Sequence, residues 1–179
     1  MADIAAGRWC ASVAGNESPA GVAWRRDVSA LRPAFRVAVL SSAAFVSLLV
    51  LIELLDTWFG MNLHRLGVVP RSLQGLTGIL TAPLIHGDWL HLVSNSFALL
   101  VLGSVLYFGY PRTALPLLAV IWLGSGLGVW LFARESFHFG ASGLTHGLMF
   151  FIFVSGILRH DRLSIALSMI VFFLYGGMV

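Results

Sequence analysis

The chain has 179 residues, 58% of them hydrophobic and 11% charged, with a mean hydropathy of +0.89, a composition that excludes an ordinary water-soluble domain. All 11 basic residues are Arg and the formal net charge is +3; the arginines stand at the ends of apolar stretches rather than in a basic patch, which argues against nucleic acid as a partner and reads as membrane topology. Cys10 is the sole cysteine, which excludes an intramolecular disulfide, a CxxC motif and a thiolate metal site, and neither metal nor cofactor is expected.

Residues 1–36 are rich in Ala, Gly and Ser, with Arg25, Arg26, Arg32 and Arg36 ahead of the first apolar run, and read as a disordered tail. The run 37–55 is about the ~20 residues that cross a bilayer and longer than a signal-peptide core, so it is expected to stay as the first span. Glu53, near its far end, is expected at the interface, where a long side chain reaches water. The connection 56–88 holds Trp58, Phe59 and the breakers Gly60, Gly67, Pro70, Gly75, Gly78 and Pro83. It is too apolar for a solvated loop, and its aromatics beside Arg65 and Arg71 predict a segment lying in the headgroup region, with His64 also interfacial. Further spans are expected at 89–108, 114–132, 142–158 and 163–179, and the short connections 109–112 and 159–162 make adjacent spans antiparallel neighbours. The fold class is therefore all-α, a polytopic transmembrane helical bundle of five spans. Arg8, Arg25, Arg26, Arg32, Arg36, Arg112, Arg159 and Arg162 fall on one face and Arg65, Arg71 and Arg134 on the other. That bias predicts a cytoplasmic N-terminus, with the aromatic loop and the head of the fourth span outside.

A polar side chain inside an apolar span is costly, so each is a functional candidate unless a bland partner explains it. His91 and Asn95 are four apart at the start of the second span and share one helix face; the bland alternative is a helix–helix hydrogen bond worth about 1 kcal/mol. The run Gly140-Ala141-Ser142-Gly143 sets a serine at the N-terminus of an apolar helix, between glycines. Glycines let a substrate backbone approach, and the unpaired amides and positive dipole end of the helix suit an oxyanion. Small-residue packing between membrane helices is the alternative for that run.

Taken together, the aromatic loop, the His-x4-His-x3-Asn pattern of His86, His91 and Asn95, and Gly-Ala-Ser-Gly at the head of the fourth span resemble the rhomboid family of intramembrane serine proteases, over about residues 58–179. The resemblance implies that Ser142 is the nucleophile and that His91, Asn95 and the Ser142 amide stabilise the oxyanion, with Gly140 shaping the hole and His86 supporting the entrance of the second helix. It implies transmembrane protein substrates, within the lipid bilayer of a bacterial inner membrane. It also implies a sixth helix bearing the general-base histidine, to which no residue here corresponds. The sequence is therefore expected to continue for about 40 residues with one more span, and the 179-residue form to be nearly inactive. His146, one turn below Ser142, reads as a packing or hydrogen-bonding residue beneath it, or as a substitute base; Gly143 supports the same helix start. His138 reads as a pre-helix loop residue not placed to serve. The rival readings are a non-catalytic relative that binds transmembrane clients, and a small transporter or channel, for which acidic residues in mid-span are missing.

Overall fold

The computed structural model describes residues 28–175. It is an all-α bundle of six helices: α1 (Val28–Phe59), α2 (Gly75–Thr81), α3 (Trp89–Gly109), α4 (Ala114–Phe132), α5 (Ser142–Arg159) and α6 (Arg162–Tyr175). Four stretches are long and apolar enough to cross a membrane, namely Leu31–Phe59, Trp89–Gly109, Ala114–Phe132 and Ser142–Arg159. The apolar part of α6, Arg162–Phe173, is shorter, and the end of the expected span at 163–179 lies outside the described residues, as does most of the expected tail.

The first helix begins at Val28 rather than at 37, because Ala30, Leu31, Arg32, Ala34 and Arg36 are good helix formers that extend the membrane helix past its apolar run. Pro33 lies inside the helix, in its second turn, where it removes one intrahelical hydrogen bond. Glu53 is buried rather than interfacial, as is Asp56, whose carboxylate accepts from the Leu63 amide at 3.1 Å and so turns the chain out of α1.

α5 is the central element, packed against α3, α4 and α6. Its residues Leu144, Leu148 and Ile152 recur every four positions and are fully buried, a stripe that meets Leu99, Leu102 and Leu106 in one apolar core. α1 packs along α3, closest where Gly103 faces Ser42: a Cβ on Gly103 would stand 2.7 Å from the serine oxygen. Small residues let membrane helices approach in this way. Ser94 and Ser168 satisfy their hydroxyls on their own helices, donating to the Leu90 carbonyl at 2.6 Å and to that of Ser164 at 2.7 Å, whereas the buried Ser96 hydroxyl of α3 has no partner among the described residues.

The connection between α1 and α3 is folded onto the bundle. It holds short 3-10 turns at Leu63–Leu66 and Ala82–Leu84 around α2, which packs on α4. Gly78 lies against the backbone of Gly67 and Val68, and Gly75 against Val69, so closely that no Cβ fits at either position. Arg71 closes the end of α4. Its amide donates to the Trp130 carbonyl at 3.0 Å, and its guanidinium donates to the Ala133 and Leu131 carbonyls at 2.9 and 3.4 Å. Trp130 in turn donates its indole N–H to the Ser72 carbonyl at 2.9 Å. A cation on the unpaired carbonyls of a helix C-terminus stabilises it. Arg71→Gln is therefore expected to lower the unfolding midpoint in detergent, by about 1–2 kcal/mol of stability for the lost charged hydrogen bonds. An unchanged midpoint would contradict the capping role.

Candidate active site

The site is assembled where α3 and α5 begin. Asp88 holds extended backbone at the N-cap of α3 and its carboxylate accepts from the His91 amide at 2.8 Å, a favourable start to a helix. The first turn therefore points His91 and, one turn on, Asn95 inward. Asn95 is fully buried, and its carboxamide donates one hydrogen bond to the His91 carbonyl at 3.0 Å.

On the other side, the loop before α5 is fastened by backbone bonds. Val68 and His138 exchange a pair, N to O at 2.8 and 2.9 Å, and the Gly140 amide donates to the Ala82 carbonyl at 2.9 Å. Gly140 has φ +110°, a conformation open to glycine alone. A Cβ there would stand 2.5 Å from His91 Cε1 and 2.8 Å from its Nε2, so the imidazole lies directly on the glycine. Gly140 thus contributes shape; its N–H is already committed to Ala82 and is not an oxyanion donor.

Ser142 opens α5. The first intrahelical bond runs from the Thr145 amide to the Ala141 carbonyl at 2.9 Å, leaving the amides of Ser142, Gly143 and Leu144 without a helical acceptor, at the positive end of the dipole. A cavity of about 130 Å³ at this point is lined by Ser142, Gly140, Gly143, Ser125, His138 and Phe139, among others. Gly143 is needed because a side chain there would meet Ser125 at 2.9 Å.

His146 donates from Nδ1 to the Ser142 carbonyl at 2.7 Å, since a carbonyl only accepts. The bond is to the backbone of Ser142. Among the described residues, no group of three or more His, Cys, Asp or Glu could hold a metal ion.

The histidines form a second layer. His86 is 1% exposed, its ring 5.3 Å from that of His91 in an edge-on contact, and neither of its nitrogens has a hydrogen-bond partner among the described residues. His64 donates to the His86 carbonyl at 3.2 Å and stacks at 4.9 Å on Phe139. It is part of this layer. Burial, then the neighbouring His91, push the His86 imidazole down to about 4. A group lowered in the folded state stays neutral there while the unfolded chain takes up a proton below its ordinary value near 6.5. Stability is thus complete above that value and falls as pH drops from about 6.5 to about 4, by up to about 3 kcal/mol. Unfolding midpoints in detergent across this window should fall for the native chain and flatten for His86→Leu; parallel curves would contradict the assignment.

A rhomboid domain profile matches residues 73–179, a stretch containing every element just described except Val68 and His64 with its turn. The chain belongs to the rhomboid family. Two uncharacterised proteins, one from Mycobacterium bovis and one from Mycobacterium tuberculosis, are each 36% identical to it over 154 residues, 83% of this chain and 64% of theirs. An uncharacterised protein of Mycobacterium leprae is 33% identical over 141 residues, 75% of this chain and 56% of that one. The chain thus spans less than two thirds of the length of these relatives. No solved structure matches it.

Within this rhomboid domain, the residues singled out by sequence separate into two groups. Ser142, Gly143 and Gly140 share the cavity, whereas His91 and Asn95 do not line it: the His91 ring lies on Gly140, with His86 edge-on to it and Asn95 one turn deeper. Sequence reasoning missed His138, which lines the same cavity as Ser142 and donates from Nε2 to the Arg134 carbonyl at 2.9 Å. Its position follows from the pairing with Val68, a contact across 70 residues that carries no local sequence signal.

Proposed function

We propose that this rhomboid is an intramembrane serine endopeptidase that cleaves transmembrane protein segments, with Ser142 as nucleophile and His91 and Asn95 as oxyanion donors. The observation that carries the reading is the placement of Ser142 as the first residue of α5, with unpaired amides around it and His91 lying on Gly140 beside it. In the proposed reaction Ser142 Oγ bonds to the scissile carbonyl carbon, its proton passes to a base, and the peptide C–N bond breaks as the base protonates the leaving amine. Water then hydrolyses the acyl-enzyme. None of the described side chains is placed as that base. By the family resemblance, the role falls to a histidine outside the described residues, and His146 serves beneath Ser142 by holding its carbonyl. The surroundings proposed are a bacterial inner membrane with the N-terminus in the cytoplasm.

The test is cleavage of a reporter transmembrane peptide by the intact protein in liposomes. His91→Ala and Asn95→Ala are each expected to lower kcat by about 10²–10³ with little change in KM. Undiminished turnover in both would overturn the oxyanion assignment. A second reading is a non-catalytic rhomboid that binds transmembrane clients. It predicts retention of the reporter peptide without cleavage.

A further inference from the structure

Away from the Ser142 cavity, a larger void of about 480 Å³ lies between α1, α3, α4 and α5, lined by Phe45, Leu99, Tyr107, Leu115, Trp122 and Leu148. It exists because α1 packs along α3 while α4 packs on α2 and α5; the gap between α1 and α4 is bridged by Phe45 and Trp122, their rings 6.0 Å apart. Its walls are almost wholly hydrocarbon. The hydroxyl of Ser42, also in the wall, already donates to the Ala38 carbonyl at 3.2 Å, so a polar occupant would lose its hydration for little return. From Leu99 to Tyr107 on α3, and from Leu115 to Leu123 on α4, the void runs along about 12 Å of helix rise. That is close to the roughly 15 Å depth of one leaflet's hydrocarbon.

Past the end of the void marked by Leu115 and Tyr107, the chain carries positive charge. Arg112 stands three residues before Leu115, exposed, and no carboxylate among the described residues pairs with it. α4 begins beside it at Ala114, and the N-cap residue Thr113 gives no side-chain cap, so the positive end of a 19-residue helix points the same way. A phosphate suits both a guanidinium and a helix N-terminus.

We propose that this slot binds an anionic phospholipid, one acyl chain lying between α1 and α4 and the phosphate held by Arg112 and the first turn of α4. The site is independent of the peptidase reading and needs no catalysis to be observed.

A phosphatidylglycerol carrying a diazirine on one acyl chain, added in trace to the intact protein in phosphatidylcholine nanodiscs, tests it after irradiation and peptide mapping. Adducts are expected on the facing stretches 99–107 and 115–123, in excess over the lipid-facing Phe172 and Phe173 of α6, which are exposed. Unlabelled phosphatidylglycerol should compete about fivefold better than phosphatidylcholine, the preference one arginine near a lipid surface provides, and Arg112→Gln should remove that preference. Ala119→Trp should fill the slot and cut the adducts there while leaving those on α6. Where that variant does not fold, the competition on the unaltered chain decides alone. Adducts spread evenly over all lipid-facing helices, or equal competition by the two lipids, would overturn the proposal. So would a slot that stays unlabelled while α6 labels, the sign that a protein segment fills it.

Discussion

Ser142→Ala is expected to abolish cleavage of a transmembrane reporter, with a loss of about 10⁴–10⁶ in kcat. The expectation rests on the absence of any substitute nucleophile at the head of α5. Ser125, across the cavity, spends its hydroxyl on the Trp122 carbonyl at 3.1 Å, and Thr145 spends its own on the Ser142 carbonyl at 2.8 Å. Removing the serine oxygen leaves the α5 amides and the His91 ring in place, so binding of the reporter and the unfolding midpoint should change little. That combination, lost turnover with retained fold and binding, is the mark of a residue that acts in the reaction. Residual cleavage within tenfold of the native rate, a difference of only about 1.4 kcal/mol in the barrier, would assign the chemistry elsewhere.

Gly140→Val is expected to have the second largest effect, through two separate causes. A φ of +110° suits glycine alone, and forcing a β-branched residue into it costs about 1–3 kcal/mol. The added Cβ would also stand 2.5 Å from His91 Cε1, so the imidazole must leave its place on Gly140. Losing one oxyanion donor costs about 10²–10³ in kcat, and Gly140→Val should lose at least that, together with a lowered unfolding midpoint. Gly140→Ala carries the same Cβ and should follow it closely. Gly109→Ala supplies the control, because nothing lies within 4 Å of a Cβ there, and its turnover and midpoint should stay native. A Gly140→Ala variant with native turnover would mean that the His91 ring has no part in the reaction.

The bundle is readable in the sequence where local physics decides it. α3, α4 and α5 follow apolar runs bounded by Gly109-Tyr110-Pro111 and by Gly140, and composition alone requires such runs to be helices in a membrane. The Ser142 helix start was legible for the same reason, since Gly140 and Gly143 have few other uses so close to a span. What escaped was set by contacts between distant segments. Nothing near Arg71 announces that it caps α4, or near His138 that it pairs with Val68 and enters the Ser142 cavity. Nor does anything near His64 announce its partners, the His86 carbonyl and Phe139, which folding brings to it. The burial of Glu53 within α1 was missed for a related reason: proximity to the end of an apolar run does not say what packs over it. The resemblance implies that Gly140 shapes the oxyanion hole; only the backbone shows that its own N–H is taken by Ala82.

The central claim is that Ser142 is an activated nucleophile, and covalent labelling of the intact protein with a fluorescent fluorophosphonate tests it most directly, since the reagent reacts with a serine only when a base activates it. The account predicts one adduct, mapped by mass spectrometry to the peptide holding Ser142, absent from Ser142→Ala and weakened in His91→Ala. A correctly folded protein that takes no label at Ser142, yet still retains the reporter peptide, would contradict the account and make the chain a client-binding rhomboid.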